Sequence, residues 1–72
     1  MNTALSPRQR EVMDRLIEGQ TERAIARRLG ISRPTVNTHI GQAMRRLKAI
    51  NRLQAAVFYD RAVRSQAEEL TQ

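Results

Sequence analysis

The segment from Thr21 to Leu47 constrains the fold more than any other part of the chain. It reads TERAIARRLGISRPTVNTHIGQAMRRL, with apolar residues recurring every three or four positions on both sides of Gly30. Such spacing indicates amphipathic helices, and a glycine between them supplies the left-handed backbone that closes one helix before the next begins. The segment therefore predicts two short helices joined by a tight turn, which is the geometry of a helix-turn-helix.

Capping signals divide the whole chain into four helices, and no segment alternates as a strand would. We predict helices over about 7–18, 22–29, 33–49 and 52–70. A residue suited to N-capping precedes each of them: Ser6, Thr21, Ser32 and Asn51. Gln9 lies three residues after Ser6 and completes a capping box. The predicted fold is an all-α, four-helix domain over 1–72, with a core of about 5–63 and a helical extension or frayed tail over 64–72.

Positive charge is concentrated in the middle of the chain. The net charge is +6, and no acidic residue lies between Arg23 and Tyr59. The cations of that stretch are Arg23, Arg27, Arg28, Arg33, Arg45, Arg46, Lys48 and Arg52. A field of one sign favours a polyanionic partner such as nucleic acid. Charge alone leaves open the alternative of an arginine-rich surface that is only solvated.

Composition argues against several other classes of function. There is no cysteine and a single histidine, His39, so we expect no disulfide, metal site or other cofactor. No acid–base pair, activated nucleophile or phosphate-binding glycine loop is present, and we expect a protein that is not an enzyme. No apolar run reaches the ~20 residues that span a membrane, and the N-terminus has no apolar signal segment. We therefore expect a cytoplasmic protein without a membrane partner.

The third predicted helix has two faces of opposite character. One face is apolar and consists of Val36, Ile40, Ala43 and Leu47. The opposite face carries Asn37, Thr38, Gly41, Gln42, Arg45 and Lys48. Short hydrogen-bonding groups beside cations suit the base edges and phosphates of a DNA groove. An ordinary αα-corner would have the same turn spacing, but the basic charge favours DNA binding.

Several short motifs follow one another in order through most of the chain. They are LSPRQREV over 5–12, Gly19, IARRL over 25–29, Ile31-Ser32, Thr35-Val36, His39 and NRLQAA over 51–56. In this order and spacing the chain resembles the C-terminal DNA-binding domain of LuxR/FixJ-type response and quorum-sensing regulators. The resemblance implies a four-helix fold whose third helix enters the major groove of DNA. Since no second domain is evident, the chain is most similar to stand-alone members of that family.

The resemblance also implies which residues meet DNA. Base contacts come from the two residues after Thr35-Val36 and from one a turn later, here Asn37, Thr38 and Gly41; Arg45 on the same face is added from its position. The Asn37 amide suits adenine N6 and N7, and the Thr38 methyl group suits the methyl group of thymine. Gly41 offers close approach only. The predicted phosphate contacts are Arg23, Arg27, Arg33, Thr35 and Arg46.

Two further expectations concern the end of the third helix and the surface of the fourth. Lys48 stands where the family often has a glycine, so we expect the third helix to run longer. The fourth helix has more apolar surface than so small a domain can bury. We predict that part of it pairs with the same helix of a second subunit, through Leu53, Val57, Phe58, Tyr59 and Val63. A long helix folded over its own core is the alternative.

These features favour a sequence-specific transcription regulator that binds double-stranded DNA as a homodimer and blocks or contacts RNA polymerase. Two alternatives stay open. One is a small anti-activator that binds full-length LuxR-type regulators and blocks their activity. The other is a promoter-recognition module like the last region of a sigma factor, which has similar LSPRQREV and LGIS runs. For the anti-activator, a DNA-contacting face weakened by Asn37 and Gly41 would matter little.

Overall fold

A computed structural model describes the backbone of residues 4–71 and the side chains of residues 4–67. Four helices follow one another, and no strand occurs within these residues: α1 (Pro7–Ile17), α2 (Glu22–Leu29), α3 (Arg33–Arg46) and α4 (Arg52–Thr71). The predicted all-α, four-helix class is confirmed. The chain is helical from residue 64 to Thr71, and Gln72, the last residue of the predicted tail, lies outside the described residues. No helix in the described part is long and apolar enough to cross a bilayer.

Side-chain caps begin the helices where the sequence predicts them. Ser6 Oγ accepts a hydrogen bond from the Gln9 amide at 3.1 Å, and Gln9 Oε1 accepts one from the Ser6 amide at 3.0 Å, so the capping box is present. The other three helices are capped in the same way, by the side chains of Thr21, Ser32 and Asn51. Each cap gives a partner to an amide that the helix cannot satisfy, and contributes about 1 kcal/mol.

Gly30 makes the turn between α2 and α3. Its backbone is left-handed, with φ 70° and ψ 32°, a conformation that glycine adopts without steric cost. The amide of Ile31 then donates to the Ala26 carbonyl at 3.0 Å, which closes the end of α2. Ser32 follows at once as the N-cap of α3, so only three residues separate the two helices. The predicted tight turn is confirmed.

The end of α3 differs from the expectation. The helix stops at Arg46 instead of continuing to about residue 49, and Lys48 is left-handed with φ 57°. The amide of Lys48 donates to the Arg45 carbonyl at 3.2 Å, and that of Ala49 donates to the Met44 carbonyl at 2.9 Å. This pair of bonds is a Schellman motif, which glycine normally closes. Losing the glycine therefore left the turn in place and added strain of about 1 kcal/mol.

Two core clusters hold α3 in place. The first consists of Leu5, Met13, Ala43, Ala55 and Tyr59, and the second of Val12, Ile25, Ala26, Val36 and Ile40. Leu16 and Met44 pack against both. The predicted inner face of α3 is confirmed, because Val36, Ile40 and Ala43 are at most 1% exposed. Since α3 enters both clusters, its position relative to α1, α2 and α4 is fixed.

Tyr59 belongs to this core, and its assignment to a subunit interface was wrong. The side chain is 1% exposed. Its hydroxyl donates to Asp14 Oδ1 at 2.6 Å and approaches the Arg10 carbonyl at 3.4 Å, which ties α4 to α1. Burial raises the pKa of Tyr59 to about 12, and the hydrogen bond to Asp14 and the charge of that carboxylate act in the same direction.

Candidate nucleic-acid interface

The polar face of α3 is open to solvent. Asn37, Thr38 and Arg45 are exposed and Gly41 is half-buried, while the opposite face lies in the core. A Cβ atom added to Gly41 would meet nothing within 4 Å, and its φ is not positive. Neither space nor backbone geometry inside the protein therefore requires a glycine here. The structure brings the four predicted base-contact residues together on one exposed face.

Thr38 presents one chemical group more freely than the other. Its Oγ1 donates to the Pro34 carbonyl at 3.0 Å, one turn earlier in α3. That hydrogen bond occupies the hydroxyl within the helix. The group left for an apolar contact is the methyl, which is the one that the sequence interpretation matched with the methyl group of thymine.

A shallow depression runs between the N-termini of α2 and α3. Its lining residues are Thr21, Glu22, Arg23, Arg33, Pro34 and Asn37. Glu22 is the one acid among them, and it forms an ion pair with Arg52 at the start of α4. Thr35 is half-buried beside this depression, and its hydroxyl lies 2.8 Å from that of Ser32 in the cap of α3. Arg23 and Arg33 thus share one surface, next to the amide of Asn37.

Most of the central cations have no acidic partner. Ion pairs among the described side chains join Arg8 to Glu11, Arg52 to Glu22 and Arg64 to Asp60. They leave Arg23, Arg27, Arg28, Arg33, Arg45 and Lys48 unpaired within the part of the chain that the structure describes. Arg46 is exposed, and its Nη1 donates to the Ala4 carbonyl at 2.7 Å. Unpaired guanidinium groups are available to phosphate oxygens.

His39 lies on α3, one position after Thr38. It is half-buried, and its Nδ1 is buried without a hydrogen-bond partner among the described residues. No group of three or more His, Cys, Asp or Glu side chains that could hold a metal ion is found in that part of the chain.

The outer surface of α4 carries an apolar stripe. Leu53 is 74% exposed and Val57 39%, and Ile50, one turn before Leu53, is 81% exposed. Phe58 and Val63 are half-buried, and Val63 packs against the first core cluster. Of the five residues predicted for a subunit interface, Leu53 and Val57 are therefore the most accessible. Sequence reasoning did not name Ile50, which precedes the N-cap Asn51 and lies outside the helical periodicity of α4.

The predicted fold agrees with a comparison against known families. Residues 3–59 match the model of the family described as bacterial regulatory proteins, luxR family. The chain belongs to the LuxR family. Members of this family bind DNA through the helix-turn-helix, so the chain is a DNA-binding regulatory domain and not an enzyme.

Curated relatives of this LuxR-family domain differ in length. The protein YhjB of Escherichia coli (strain K12) is 44% identical over 54 residues, which are 75% of this chain and 27% of YhjB. The nitrate/nitrite response regulator protein NarL of the same organism is 35% identical over 54 residues, or 75% of this chain and 25% of NarL. The spore germination protein GerE of Bacillus subtilis (strain 168) is 43% identical over 53 residues, or 74% of this chain and 72% of GerE. The chain spans about a quarter of YhjB and NarL.

The motifs that carried the LuxR-type resemblance have mainly structural roles. Leu5, Val12, Ile25 and Val36 are buried, and Ser6 and Ser32 are caps. They establish the fold and the position of α3. Asn37 and Gly41 lie instead on the accessible face of α3.

Proposed function

We propose that the protein binds double-stranded DNA in a sequence-specific way and regulates transcription from the bound site. The supporting observation is an accessible row of short polar residues on α3 among cations that have no acidic partner within the described residues. In this proposal α3 enters the major groove, and its base-contacting residues are Asn37, Thr38, Gly41 and Arg45. The phosphates are held by Arg23, Arg27, Arg33, Thr35 and Arg46. Such a regulator acts on DNA in the cytoplasm.

The bound form is proposed to be a homodimer. The apolar stripe of Ile50, Leu53 and Val57 would pack against the same stripe of a second subunit and remove it from water. Two domains joined in this way engage two half-sites, which multiplies the affinity of each. From that position the dimer blocks RNA polymerase or contacts it.

Selection of bound duplexes from a random pool tests the proposal. We expect an inverted repeat whose half-site centres lie about one helical turn apart. Asn37→Ala should bind the selected operator less well and a scrambled duplex equally well, because it removes a base contact. Arg61→Ala, an exposed cation on α4, is the control and should leave both affinities unchanged. A pool that yields no preferred sequence would contradict sequence-specific binding.

A second candidate is an anti-activator that acts on full-length LuxR-type regulators. Two observations favour it: the exposed stripe on α4 is available for a mixed dimer, and Gly41 gives the reading face no side chain at one base-contact position. Micromolar binding to every DNA sequence, together with tight binding to the DNA-binding domain of a relative, would favour this candidate. Membership of the LuxR family favours both candidates over a sigma-type module.

A further inference from the structure

Gln9 is the one buried polar side chain in the described part of the chain, and it links α1 to α3. It is 5% exposed. Its Oε1 accepts from the Ser6 amide at 3.0 Å, and its Nε2 donates to Gln42 Oε1, also at 3.0 Å. A backbone amide can only donate, so the end of Gln9 that faces Ser6 has to be its oxygen. The nitrogen of Gln9 is therefore directed at Gln42.

This arrangement determines which end of the Gln42 amide faces outward. Because Gln9 offers an N–H, the atom of Gln42 that meets it has to be the carbonyl oxygen. Gln42 Nε2 makes no hydrogen bond within the described residues, and it is not among their buried unpartnered atoms, so solvent reaches it. An unconstrained surface glutamine offers a donor or an acceptor as needed. Gln42 offers solvent its two donors.

The surroundings of Gln42 are also donors. It lines a shallow depression with Gln9, Arg45 and Arg46, and no acid takes part in the lining. Both arginines are exposed, and Arg46 uses its Nη1 on the Ala4 carbonyl, which leaves the rest of its guanidinium group available. Three sets of N–H groups and two positive charges suit an anionic oxygen. The two acceptors of guanine, O6 and N7, would fit these donors as well, so the position of Gln42 decides between a phosphate and a base.

The position of Gln42 on α3 favours a phosphate. Residues four apart form rows along a helix. Asn37, Gly41 and Arg45 make one row. Gln42 lies in the neighbouring row, which also holds Thr38 and Arg46, and its hydrogen bond to Gln9 places it on the side that faces α1. Thr38 is nearer the N-terminus of α3, the end from which a recognition helix contacts bases, whereas Gln42 lies beside Arg46. When the row of Asn37, Gly41 and Arg45 faces the bases, a side chain at the α1 side of the helix lies beside the wall of the groove, where the phosphates are.

We propose that Gln42, oriented by Gln9, donates a hydrogen bond to a phosphate of the DNA backbone at the α1 side of the recognition helix. The inference rests on the proposed function, DNA binding through α3. In it Gln42 contacts the ligand and Gln9 is a positioning residue, which acts only by holding the Gln42 amide with its donors outward.

Gln9→Glu tests the positioning role. Glutamate has the shape of glutamine, and its carboxylate still accepts from the Ser6 amide, so the capping box is retained. It has no N–H, and Gln42 must then turn its donors inward and its oxygen towards the phosphate. We expect Gln9→Glu and Gln42→Ala each to lower the affinity for the selected operator about 10-fold at fixed salt. Thermal unfolding of each variant checks that the fold is intact.

The loss in Gln42→Ala should be equal on the operator and on a scrambled duplex, because a phosphate contact carries no sequence information. The slope of log affinity against log salt should be unchanged, since no charge is removed. Gln66→Ala on α4 is the matched control and should bind like the wild type. A loss confined to the operator would indicate a base contact and overturn the proposal.

The double variant separates orientation from charge. The carboxylate introduced by Gln9→Glu adds a negative charge whether or not residue 42 has an amide, so this repulsion is common to both backgrounds. We expect Gln9→Glu to cause a several-fold smaller loss of DNA affinity when residue 42 is already alanine. An equal cost in both backgrounds would mean that Gln9 does not act through Gln42. If Gln42→Ala binds DNA like the wild type while Arg45→Ala binds more weakly, the inference is overturned but the proposed DNA binding stands. If the wild type itself does not bind DNA, the inference and the proposed function are both overturned.

Discussion

At the scale of single residues, Tyr59 determines how α4 packs against the rest of the domain. Phe58 and Tyr59 are adjacent aromatic residues on a helix with apolar groups on several sides, so their spacing does not show which one faces inward. The structure buries Tyr59 because its hydroxyl finds Asp14, 45 positions earlier in the chain. The N-caps at Ser6, Thr21 and Ser32 depend on residues only three positions away. Local rules predicted those caps, whereas the partner of Tyr59 required the tertiary fold.

Ionisation of Tyr59 should unfold the protein in alkali. Its folded pKa of about 12 lies above the ordinary value of 10.0, so its contribution is intact below about pH 10 and is lost as the pH rises towards 12. The free energy of unfolding should fall by about 2 kcal/mol over that range relative to Tyr59→Phe. Tyr59 is the one tyrosine of the chain, so its absorbance as tyrosinate reports directly. A midpoint near 10 in the folded protein would contradict this.

Gly41→Ala should have opposite effects on stability and on DNA binding. Alanine raises helix stability by about 1 kcal/mol over glycine, and nothing in the protein lies within 4 Å of the new methyl group. If DNA approaches this position closely, the same methyl group weakens binding to the operator. Chemical denaturation and fluorescence anisotropy measure the two effects. Increased stability with unchanged affinity would show that no close approach occurs at residue 41.

At the scale of elements, the helix-turn-helix was predictable and the end of α3 was not. Gly30 and Ser32 encode the first turn locally, and the structure has it there. Lys48 carries no such signal, yet the chain turns at it because α4 must fold back onto α1 and α3. Packing of Ala55 and Tyr59 into the first cluster therefore outweighs the preference of one residue. A sequence pattern alone cannot weigh those two effects.

Lys48→Gly should stabilise the domain. The substitution keeps the left-handed backbone and removes the steric cost of a side chain there, so the free energy of unfolding should rise by about 1 kcal/mol. Lys48→Ala removes the same charge but retains the strain, and its stability should stay near that of the wild type. Urea denaturation of the three proteins distinguishes them. Equal stability of the glycine and alanine variants would mean that Lys48 is not strained.

At the scale of the whole molecule, the core could be predicted from apolar spacing, whereas the residues of the charged surface could not. The spacing of apolar residues predicts the fold because burial drives folding, and the buried face of α3 is the one that the pattern indicated. The exposed face of α3 does not enter the core, so folding does not encode its residues. For that reason the contact roles of Asn37 and Arg45 followed from the family resemblance and helical position. The sequence placed Gln42 on the same polar face, but the orientation of its amide required the contact with Gln9.

Binding to DNA should depend steeply on salt. Each phosphate that the protein neutralises contributes about −0.9 to the slope of log affinity against log salt concentration. Arg23→Ala and Arg33→Ala should each reduce the magnitude of that slope by about 1 and weaken binding to all sequences alike. Arg61→Ala should not change it. Titrations at several salt concentrations give the slopes. If neither Arg23→Ala nor Arg33→Ala alters the slope, the phosphate contacts lie elsewhere.

The anchoring of α3 in both core clusters has a consequence for divergence within the family. The axis of this helix is set by side chains that are buried in the core. Substitutions at its solvent-facing positions can accordingly alter operator choice without loosening the scaffold. Under the proposed mode of binding, a new operator preference is thus open to this domain through a few substitutions on α3 that leave both core clusters unchanged.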